Sequence, residues 1–519
     1  MTTRRPPNIL LITTDEQRYD TLGSTSGGRV RTPNLDALAE RGMRFTRGYI
    51  QNPVCIPSRA CLMTGRYVHQ HGVDHMQPEI ATTPGLPPWE PAVMERLQGA
   101  GYRTAAFGKI HMMPPRGLDE MALTMGKGAR WTVSSGSPLG PSQLGPVYAA
   151  WLEGKRPGAY EEIYAQRREP EYREQAGAVV NCLAADEYVD YWIGENTWQY
   201  LERLADTPER PFFAWCGFCG PHPPFDPPQP YASMYPIDEM PVPQLLRERQ
   251  RNVPRSDRPG RFDGEDGEPL IRKLTAYYWG MMTFIDDMLG RIMEVLTRRG
   301  LWGNTLVIFT TDHGAMLGDF GLMGKGNFRE QVIRVPYLVV PPGTSQAGAP
   351  APPSGAGAGR TGGVYDGLVE HVDLVPTILD YAGLGTAPEL PGQSLRPILE
   401  GRPEAFRPKG HVICEHGVPA PAGAIRRQQC LRTERYKYVL SAPAGPGEAP
   451  FVELYDLQED PQERVNVAAD PAYRDEVERH ARLLIAHRLE TESNSWKAGL
   501  AARSEQALDS FGLPTAPAP

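Results

Sequence analysis

The stretch of residues 8–14 (NILLITT) is a short apolar run that is followed at once by Asp15 and Glu16. A run of this length and composition predicts a strand buried on both faces. Three more runs of the same kind occur at residues 102–107 (YRTAAF), 211–218 (PFFAWCGF) and 305–311 (TLVIFTT).

Helical patterns lie between these runs. The clearest covers residues 270–299, where apolar residues recur every three or four positions until Gly300 supplies a stop. Strands that alternate with helices indicate an α/β fold, in which a large, mostly parallel sheet is flanked by helices. Residues 367–382 also read as a helix.

The remaining organisation is uneven. Residues 113–180 look irregular, which is typical of a lid or a partner-binding insertion, and residues 341–363 are a low-complexity stretch that predicts a flexible loop. After residue 400 the pattern changes to short strands and one helix. We therefore predict a catalytic α/β domain at 1–400 and, at 401–519, a smaller α+β subdomain that contains a short antiparallel sheet and ends in a disordered tail.

Composition excludes several classes of protein. The chain has 519 residues, with 54 basic and 62 acidic side chains and a net charge of −8, and no basic tract suggests a nucleic-acid partner. No window approaches the ~18 apolar residues of a membrane span. Seven cysteines are few and odd in number, so reduced thiols are expected. We predict a soluble, cytoplasmic protein.

Ionisable residues follow each of the four predicted strands. Because ligands bind at the carboxyl ends of strands in open α/β sheets, these side chains are expected to meet in one charged cleft. The residues are Asp15 and Glu16, Lys109 and His111, His222, and Asp312 and His313.

Three of these residues carry carboxylates, and carboxylates brought together repel unless a cation neutralises them. Asp15, Glu16 and Asp312 supply oxygen ligands, to which His313 can add an imidazole nitrogen. Such an oxygen-rich set suits Ca²⁺, Mg²⁺ or Mn²⁺ better than a zinc site of the thiolate type.

A cysteine stands ahead of a predicted helix in residues 54–66 (VCIPSRACLMTGR). Pro57 suits a first helical turn, which places Cys55 where free backbone N–H groups attract anions, and Arg59 can clamp an oxyanion. A thiolate at position 55 can act as a nucleophile, but a thiol matches a hard cation poorly. The residues alone leave that mismatch open.

These motifs, taken together, resemble the type I sulfatases of the alkaline phosphatase superfamily, whose cysteine is oxidised after translation to formylglycine. An aldehyde hydrate would then replace the thiol, and its oxygen suits the metal. The resemblance implies an alkaline-phosphatase-like fold, and it rests on residues 8–18 (NILLITTDEQR), 55–59 (CIPSR), 62–66 (LMTGR), 101–112 (GYRTAAFGKIHM) and 306–330 (LVIFTTDHGAMLGDFGLMGKGNFRE).

The resemblance also implies a ligand set for one divalent cation, with Ca²⁺ favoured and Mg²⁺ or Mn²⁺ as alternatives. Many family members have Asp at the position of Glu16, which makes Glu16 the least secure ligand. The implied ligands are Asp15, Glu16, Asp312, His313 and the formylglycine made from Cys55.

The same resemblance implies the catalytic and substrate-binding roles. Arg59 supports the formylglycine and the anion, and Lys109 and Lys325 bind sulfate oxygens. His111 helps the aldehyde hydrate to collapse, and His222 assists the leaving group.

The expected activity is hydrolysis of an organic sulfate monoester. The first alternative is a phosphonate monoester hydrolase or phosphodiesterase that uses the same formylglycine site. Lys109 and His111 favour a sulfatase, since the phosphonate hydrolases that resemble this chain usually have neutral residues at these two positions. The second alternative is a binding protein that kept the fold without catalysis.

Expected partners are a small-molecule sulfate ester and a formylglycine-generating maturase that acts on Cys55. Residues 113–180 are a candidate contact element for a homo-oligomer. A histidine cluster at His69, His71 and His75 is interpreted either as part of the substrate pocket or a second metal site, or as a hydrogen-bonded loop.

Overall fold

A computed structural model gives the structure of the chain. Parts of three predicted features lie outside the described residues: 113 and 128–145 of the expected insertion, 344–361 of the expected flexible loop and the expected tail beyond 492. The structure describes residues 5–76, 82–83, 85–112, 114–127, 146–205, 209–253, 262, 267–343, 362–385, 387–419, 425–443, 445 and 447–492.

The described chain forms two sheets, one of nine strands and one of four. The large sheet contains the first nine strands in chain order and the small sheet the last four. The strands are β1 Asn8–Asp15, β2 Met43–Tyr49, β3 Arg103–Gly108, β4 Glu120–Leu123, β5 Phe212–Pro221, β6 Thr305–Thr311, β7 Arg334–Val335, β8 Tyr337–Val340, β9 Gly363–Glu370, β10 Val412–Pro419, β11 Ile425–Arg432, β12 Tyr436–Ser441 and β13 Phe451–Asp456.

Helices connect the strands of the large sheet, and one long helix follows the small sheet. They are α1 Gly23–Ser26, α2 Pro33–Arg41, α3 Cys55–Thr64, α4 Val68–His71, α5 Val93–Gly99, α6 Pro146–Lys155, α7 Ala159–Arg168, α8 Pro170–Glu174, α9 Val189–Ala205, α10 Gly267–Arg298, α11 Glu330–Ile333, α12 Leu374–Tyr381, α13 Arg396–Leu399 and α14 Arg474–Thr491.

The predicted sheet class is confirmed. The large sheet runs in the order β4-β3-β5-β1-β6-β8-β2-β7, with β9 added beside β2. Strands β4, β3, β5, β1 and β6 are mutually parallel, whereas β8 is antiparallel to both β6 and β2. The four strands predicted from the sequence are therefore the contiguous parallel set β3-β5-β1-β6, and all their carboxyl ends lie at one edge of the sheet.

Strand β1 lies inside this parallel set, with β5 on one side and β6 on the other. Its side chains alternate between two apolar layers: Leu10 and Ile12 belong to one buried cluster, and Ile9 and Leu11 belong to the other. A strand that is covered on both faces reads as a continuous apolar run, which explains the opening stretch of the sequence.

The small antiparallel sheet, in the order β10-β11-β12-β13, confirms the expected sheet after residue 400. A backbone hydrogen bond ties it to the segment between β2 and α3, since the Glu415 N–H donates to the Gln51 carbonyl at 2.8 Å. The division into domains at residue 400 stays a prediction.

Two local predictions were wrong. Much of the insertion 113–180 is regular, because residues 146–174 form the three helices α6 to α8; the buried faces of α6 and α7 pack on the core that also holds α9 and α10, whereas Tyr172 of α8 packs against Val179. Residues 367–382 are not one helix, because β9 pairs with β2 as far as Glu370 and only then does the chain turn into α12. The spacing of the apolar residues in that segment is compatible with the period of a strand as well as with that of a helix.

Within the described residues, no helix has the length and apolar character that crossing a membrane requires.

Candidate active site

The carboxyl ends of the parallel strands bring the predicted side chains together. Asp15 ends β1, and Asp312 directly follows β6, the neighbouring strand. Lys109 directly follows β3, and its ammonium forms an ion pair with the Asp15 carboxylate. All three side chains are buried.

Cys55 begins helix α3 and is fully buried. Its sulfur lies 2.9 Å from Lys325 Nζ, 3.1 Å from His313 Nε2 and 3.9 Å from Asp15 Oδ1. Helix α3 ends at Gly65, whose φ of 69° is left-handed and is therefore suited to glycine. Position 55 thus stands at a helix N-terminus between a cation and two groups that can bind metal.

Arg59 lies one turn into α3 and binds both acidic strand ends. Its Nε donates to Asp312 Oδ2 at 2.8 Å, its Nη2 donates to Asp15 Oδ2 at 3.2 Å, and its Nη1 donates to the Lys109 carbonyl at 2.6 Å. Because the guanidinium is planar and always charged, this fork fixes the relative positions of β1, β3 and β6 around the site.

The ionisation of both aspartates is set by these cations. Burial alone would raise the pKa of Asp15, but the positive charges of Lys109, Lys325 and Arg59 hold it well below the ordinary value. The pKa of Asp312 is likewise lowered against burial, chiefly by Arg59. Both carboxylates are therefore anionic at neutral pH.

A cluster of Asp15, Cys55, Asp312 and His313 can hold a metal ion, since one ligand atom from each lies within 4.8 Å of the others. The Nδ1 of His313 donates to the Gly314 carbonyl at 2.8 Å, so Nε2, which faces Cys55, is the nitrogen that the neutral ring would offer to a metal. With an oxygen atom at position 55, the set would present oxygen and imidazole ligands, which fit a hard divalent cation.

Glu16 occupies a different place. Its carboxylate groups with Asp15 and His222, and its Oε2 lies 3.1 Å from Lys325 Nζ. The backbone of Glu16 has a positive φ of 67°, held in part by its N–H, which donates to Asp312 Oδ1 at 3.1 Å. Strained backbone of this kind concentrates at functional sites. The role of Glu16 as a metal ligand stays a prediction.

Two histidines flank the cleft in defined tautomers. The Nε2 of His111 donates to the Met125 carbonyl at 2.9 Å, while its buried Nδ1 has no hydrogen-bond partner among the described residues. The Nδ1 of His222 donates to the Pro223 carbonyl at 2.6 Å, which turns its Nε2 towards Glu16 at 3.6 Å. Burial and the nearby lysines hold the pKa of both rings well below the ordinary value, so both are neutral at pH 7.

The histidine cluster beyond α3 resolves into hydrogen-bonded positions. His69 Nδ1 lies 2.9 Å from Glu415 Oε2, and His71 Nε2 lies 3.3 Å from the sulfur of Cys61. No group of metal-binding atoms is found around these two rings in the described chain, which favours the hydrogen-bonded interpretation.

Sequence reasoning missed residues that support the site from outside its motifs. Ser58 Oγ donates to the Asp312 carbonyl at 2.5 Å, and Tyr278 OH donates to the Glu16 carbonyl at 2.7 Å. His416 of β10 lies beside Gly326, the residue after Lys325, since its Nε2 is 3.6 Å from the position that a Cβ on Gly326 would take. The sequence signal for this residue is that the run at 410–416 (GHVICEH) ends in ionisable residues.

A parallel sheet whose strand ends gather carboxylates, lysines and histidines around the N-terminus of a helix defines an enzyme that handles an anionic group. The chain belongs to the Sulfatase family, whose profile matches residues 7–384. A second profile, that of the C-terminal part of N-sulphoglucosamine sulphohydrolase, matches residues 318–490.

Individual relatives agree with this assignment. An arylsulfatase of Clostridium perfringens is 28% identical over 498 residues, which cover 92% of this chain and 94% of that protein. A multifunctional alkaline phosphatase superfamily protein, PehA of Trinickia caryophylli, is 29% identical over 525 residues, with 93% and 95% covered. The crystal structure of the phosphonate monoester hydrolase of Agrobacterium radiobacter superposes with a TM-score of 0.72 at 26% identity, covering 93% of this chain and 96% of that one.

Proposed function

We propose that this enzyme hydrolyses an organic sulfate monoester to an alcohol and inorganic sulfate, after Cys55 has been converted to formylglycine by a maturase and with one divalent cation bound. One observation carries the proposal: Cys55 Sγ lies between Lys325 Nζ, at 2.9 Å, and His313 Nε2, at 3.1 Å. A reacting group at position 55 would therefore touch a cation that binds sulfate and a ligand of the metal.

The absent groups would supply chemistry that the chain lacks. A hydrated formylglycine offers two hydroxyl groups, one to attack sulfur and one to lose a proton, and the cation lowers the pKa of bound oxygen and neutralises charge. Asp15, Asp312 and His313 would hold the cation, with Ca²⁺ favoured by the oxygen-rich set and Mg²⁺ or Mn²⁺ as alternatives. Glu16 is the fourth candidate ligand.

The cationic side chains would bind and orient the sulfate. Lys325 is the best placed, because its ammonium touches both Cys55 and Glu16 and its side chain is 18% exposed, so it borders the opening of the site. Lys109 and Arg59 lie deeper and hold the aspartates in their ionised form. Preorganised positive charge of this kind stabilises the charge that develops on the transferring group.

The two neutral histidines would move protons. His111 has an unpartnered Nδ1 that can accept the proton lost when the second hydroxyl group collapses. The Nε2 of neutral His222 faces the cleft beside Glu16 as an acceptor, so it would have to gain a proton before it could protonate the departing alcohol oxygen. Lys325 is the alternative donor for this step.

A phosphonate monoester or phosphodiester is the second candidate substrate, favoured by the likeness to the Agrobacterium radiobacter enzyme. Lys109 weighs against it, because a second buried cation beside Asp15 suits a sulfate group bound through several oxygens. Initial rates with 4-nitrophenyl sulfate, 4-nitrophenyl phenylphosphonate and bis(4-nitrophenyl) phosphate should show kcat/KM highest for the sulfate. A phosphonate preference of several orders of magnitude would replace the proposal with the second candidate.

The formylglycine is tested directly by mass spectrometry of the peptide that holds Cys55, from protein expressed with and without a maturase. We expect the aldehyde and its hydrate with the maturase, together with activity in proportion to the converted fraction. Full activity in unconverted protein would overturn this part of the proposal. Removal of metal with a chelator should abolish turnover, and re-addition of each cation in turn would identify it.

A further inference from the structure

Asp190 is a buried carboxylate that none of the roles assigned so far uses. It lies in the first turn of helix α9 and is 1% exposed. Its Oδ1 accepts the N–H of Cys219 at 2.6 Å and the N–H of Gly220 at 3.2 Å. These two residues stand at the carboxyl end of β5, directly before Pro221 and His222. Asp190 therefore binds the backbone that leads into His222.

The end of β5 lacks the partners that the rest of the strand has. The register of β5 with β3 stops at Gly217, and its register with β1 breaks between Gly217 and Pro221. Among the described residues, positions 218–220 thus have no register partner in either neighbouring strand. A buried backbone N–H without an acceptor is costly, and the carboxylate of Asp190 serves two of them here.

The surroundings of Asp190 are shaped for this contact. A Cβ on Gly220 would lie 3.0 Å from Asp190 Oδ2 and 2.9 Å from Ile285 Cδ1, so glycine is what lets both side chains close on the strand end. Burial raises the pKa of the Asp190 carboxyl, and Lys127 opposes that rise. The carboxyl group is thus held against the strand end in spite of the cost of burying it.

The position of this backbone also decides where the His222 ring points. The Nδ1 of His222 donates to the Pro223 carbonyl at 2.6 Å, so the ring is tied to its own segment of the chain. On the far side of the ring, Lys127 Nζ donates to the Pro224 carbonyl at 3.2 Å. His222 therefore stands between two anchored stretches of backbone, of which Asp190 holds the one in β5.

From these contacts we propose that Asp190 is a positioning residue for His222, which sets the place of the imidazole in the cleft through two hydrogen bonds to the end of β5. The inference rests on the proposed function, in which His222 assists the departing alcohol. Proton transfer requires groups within hydrogen-bond reach, and a displacement of about 1 Å can lower a rate by about 10²-fold. Asp190 thus acts on the reaction without touching the substrate.

The test compares two esters that differ in their need for a proton donor, using enzyme whose Cys55 conversion has been verified. 4-Nitrophenol leaves readily as an anion, whereas the more basic 4-methoxyphenol depends more on protonation. The leaving-group ratio is kcat/KM for 4-methoxyphenyl sulfate divided by kcat/KM for 4-nitrophenyl sulfate. We expect it to fall by ~10²-fold in His222→Ala and by ~10-fold or more in Asp190→Ala, where the ring is displaced rather than removed.

Two further variants identify the route of the effect. In a double variant that carries both His222→Ala and Asp190→Ala, the leaving-group ratio should lie within about twofold of that in His222→Ala alone, because Asp190 acts through His222. Asp190→Asn keeps an oxygen that can accept the two N–H groups, so its ratio should return to within about threefold of the wild-type value.

Asp286→Ala is the matched control. Asp286 is also buried, and its carboxylate accepts the N–H groups of Asn34 at 3.0 Å and Leu35 at 2.7 Å, but in the first turn of helix α2. We expect this variant to lose stability and to keep the wild-type leaving-group ratio. Thermal unfolding measures the stability of each variant. If Asp190→Ala does not fold, Asp190→Glu, which moves the carboxylate by one methylene, replaces it with the same expected fall.

Crystal structures of the wild type and of the folded Asp190 variant, Ala or Glu, test the inference without an assay. We expect the His222 ring to move by about 1 Å or more while Asp15 and Asp312 keep their places. An unmoved ring, an unchanged leaving-group ratio in that variant, or a ratio in Asp190→Asn as low as in that variant would overturn the inference.

Failure of the proposed function gives a different result. In that case the wild type releases no sulfate from either ester, or His222→Ala leaves the leaving-group ratio unchanged. The crystal structures then still decide whether Asp190 sets the position of the His222 ring.

Discussion

Two buried clusters of charged side chains in this protein have similar composition but differ in what their atoms leave unused. The strand-end cluster consists of Asp15, Arg59, Lys109, Asp312, His313 and Lys325 around Cys55. The subdomain cluster consists of Glu330, Lys437 and Glu463, where the small sheet meets the chain that follows Lys325. In both, the carboxylates are almost fully removed from solvent.

The subdomain cluster is closed. Lys437 Nζ lies 2.9 Å from Glu330 Oε1 and 2.6 Å from Glu463 Oε1, and it donates to the Phe328 carbonyl at 2.7 Å. Three protein oxygens thus surround an ammonium group that has three hydrogens, although Glu330 Oε1 meets it as an ion pair rather than in hydrogen-bond geometry. No further ligand is needed to satisfy Lys437.

The strand-end cluster is open. Lys325 contacts Glu16 and the sulfur of Cys55, His313 Nε2 lies 3.1 Å from the same sulfur, and His111 keeps a buried nitrogen without a partner among the described residues. Burial and ion pairing therefore do not separate a functional site from a structural one in this chain. The functional site is distinguished by unused hydrogen-bond donors and acceptors that converge on one side chain.

The largest expected effect comes from Cys55→Ser. Serine cannot be converted to formylglycine and has a single hydroxyl group, so we expect multiple-turnover kcat for 4-nitrophenyl sulfate to fall by at least ~10³-fold. The melting temperature should stay close to that of the wild type, because the two side chains are similar in size. Activity within tenfold of wild type would show that position 55 is not the nucleophile.

Arg59 tests whether the strand-end cluster also depends on charge balance. In Arg59→Met, Asp15 and Asp312 lose their shared cation, and we expect a loss of ~3–5 kcal/mol in unfolding free energy together with a fall of ~10²-fold or more in kcat/KM. Urea denaturation and steady-state kinetics measure the two effects.

Arg59→Lys is the matched control, because it keeps the charge but not the planar fork. It should recover part of the stability and little of the activity. Full recovery of both by lysine would mean that only the charge at this position matters.

Asp15, Lys109, Asp312 and His313 could be predicted to lie together, because each stands at or just after the end of a strand of one parallel set. The centre of the run at residues 8–14 is continuously apolar because both faces of β1 are covered, and the same holds for the centre of β6. Once the strands are parallel neighbours, Asp15 and Asp312 have to lie at the same edge. Their convergence is thus a consequence of topology, which the alternation of strands and helices reveals.

The rest could not be predicted for physical reasons. The partners of Lys437 come from positions 328, 330 and 463, which no local pattern connects. The prediction of one helix over residues 367–382 was wrong because the apolar residues there fit the period of a strand as well as that of a helix. Only the pairing of β9 with β2 makes the first part of this segment a strand. The side-chain position of Glu16 depends on a left-handed backbone that the sequence does not reveal.

Lys437→Met tests the subdomain cluster by the measurements used for Arg59→Met, urea denaturation and steady-state kinetics. Removing the ammonium leaves Glu330 and Glu463 buried beside each other, so we expect a loss of ~3–5 kcal/mol in unfolding free energy. The kcat of the folded fraction should change by less than about threefold, because Lys437 has no hydrogen left for a substrate. A large fall in kcat at unchanged stability would place the subdomain cluster in the catalytic machinery.

The smallest expected effect is a pH dependence of stability at Glu330. Burial would raise the pKa of this carboxyl, but Lys437 and Arg432 hold it below the ordinary value of 4.5, and Tyr49 OH donates to Oε2 at 2.8 Å. Because the folded pKa is depressed, the stabilisation is fully present above about pH 4.5 and is lost as the pH falls through the lower folded value.

Glu330→Gln removes this titration. We expect the variant to be ~1–3 kcal/mol less stable than the wild type at pH 7, with a difference that shrinks below pH 4.5 in urea denaturation series at matched metal content. Glu434→Gln, which changes an exposed carboxylate, should show neither the deficit nor its pH dependence. A Glu330→Gln deficit that stays constant down to pH 3 would mean that shape and hydrogen bonding, rather than the ionised pair, hold the closed cluster together.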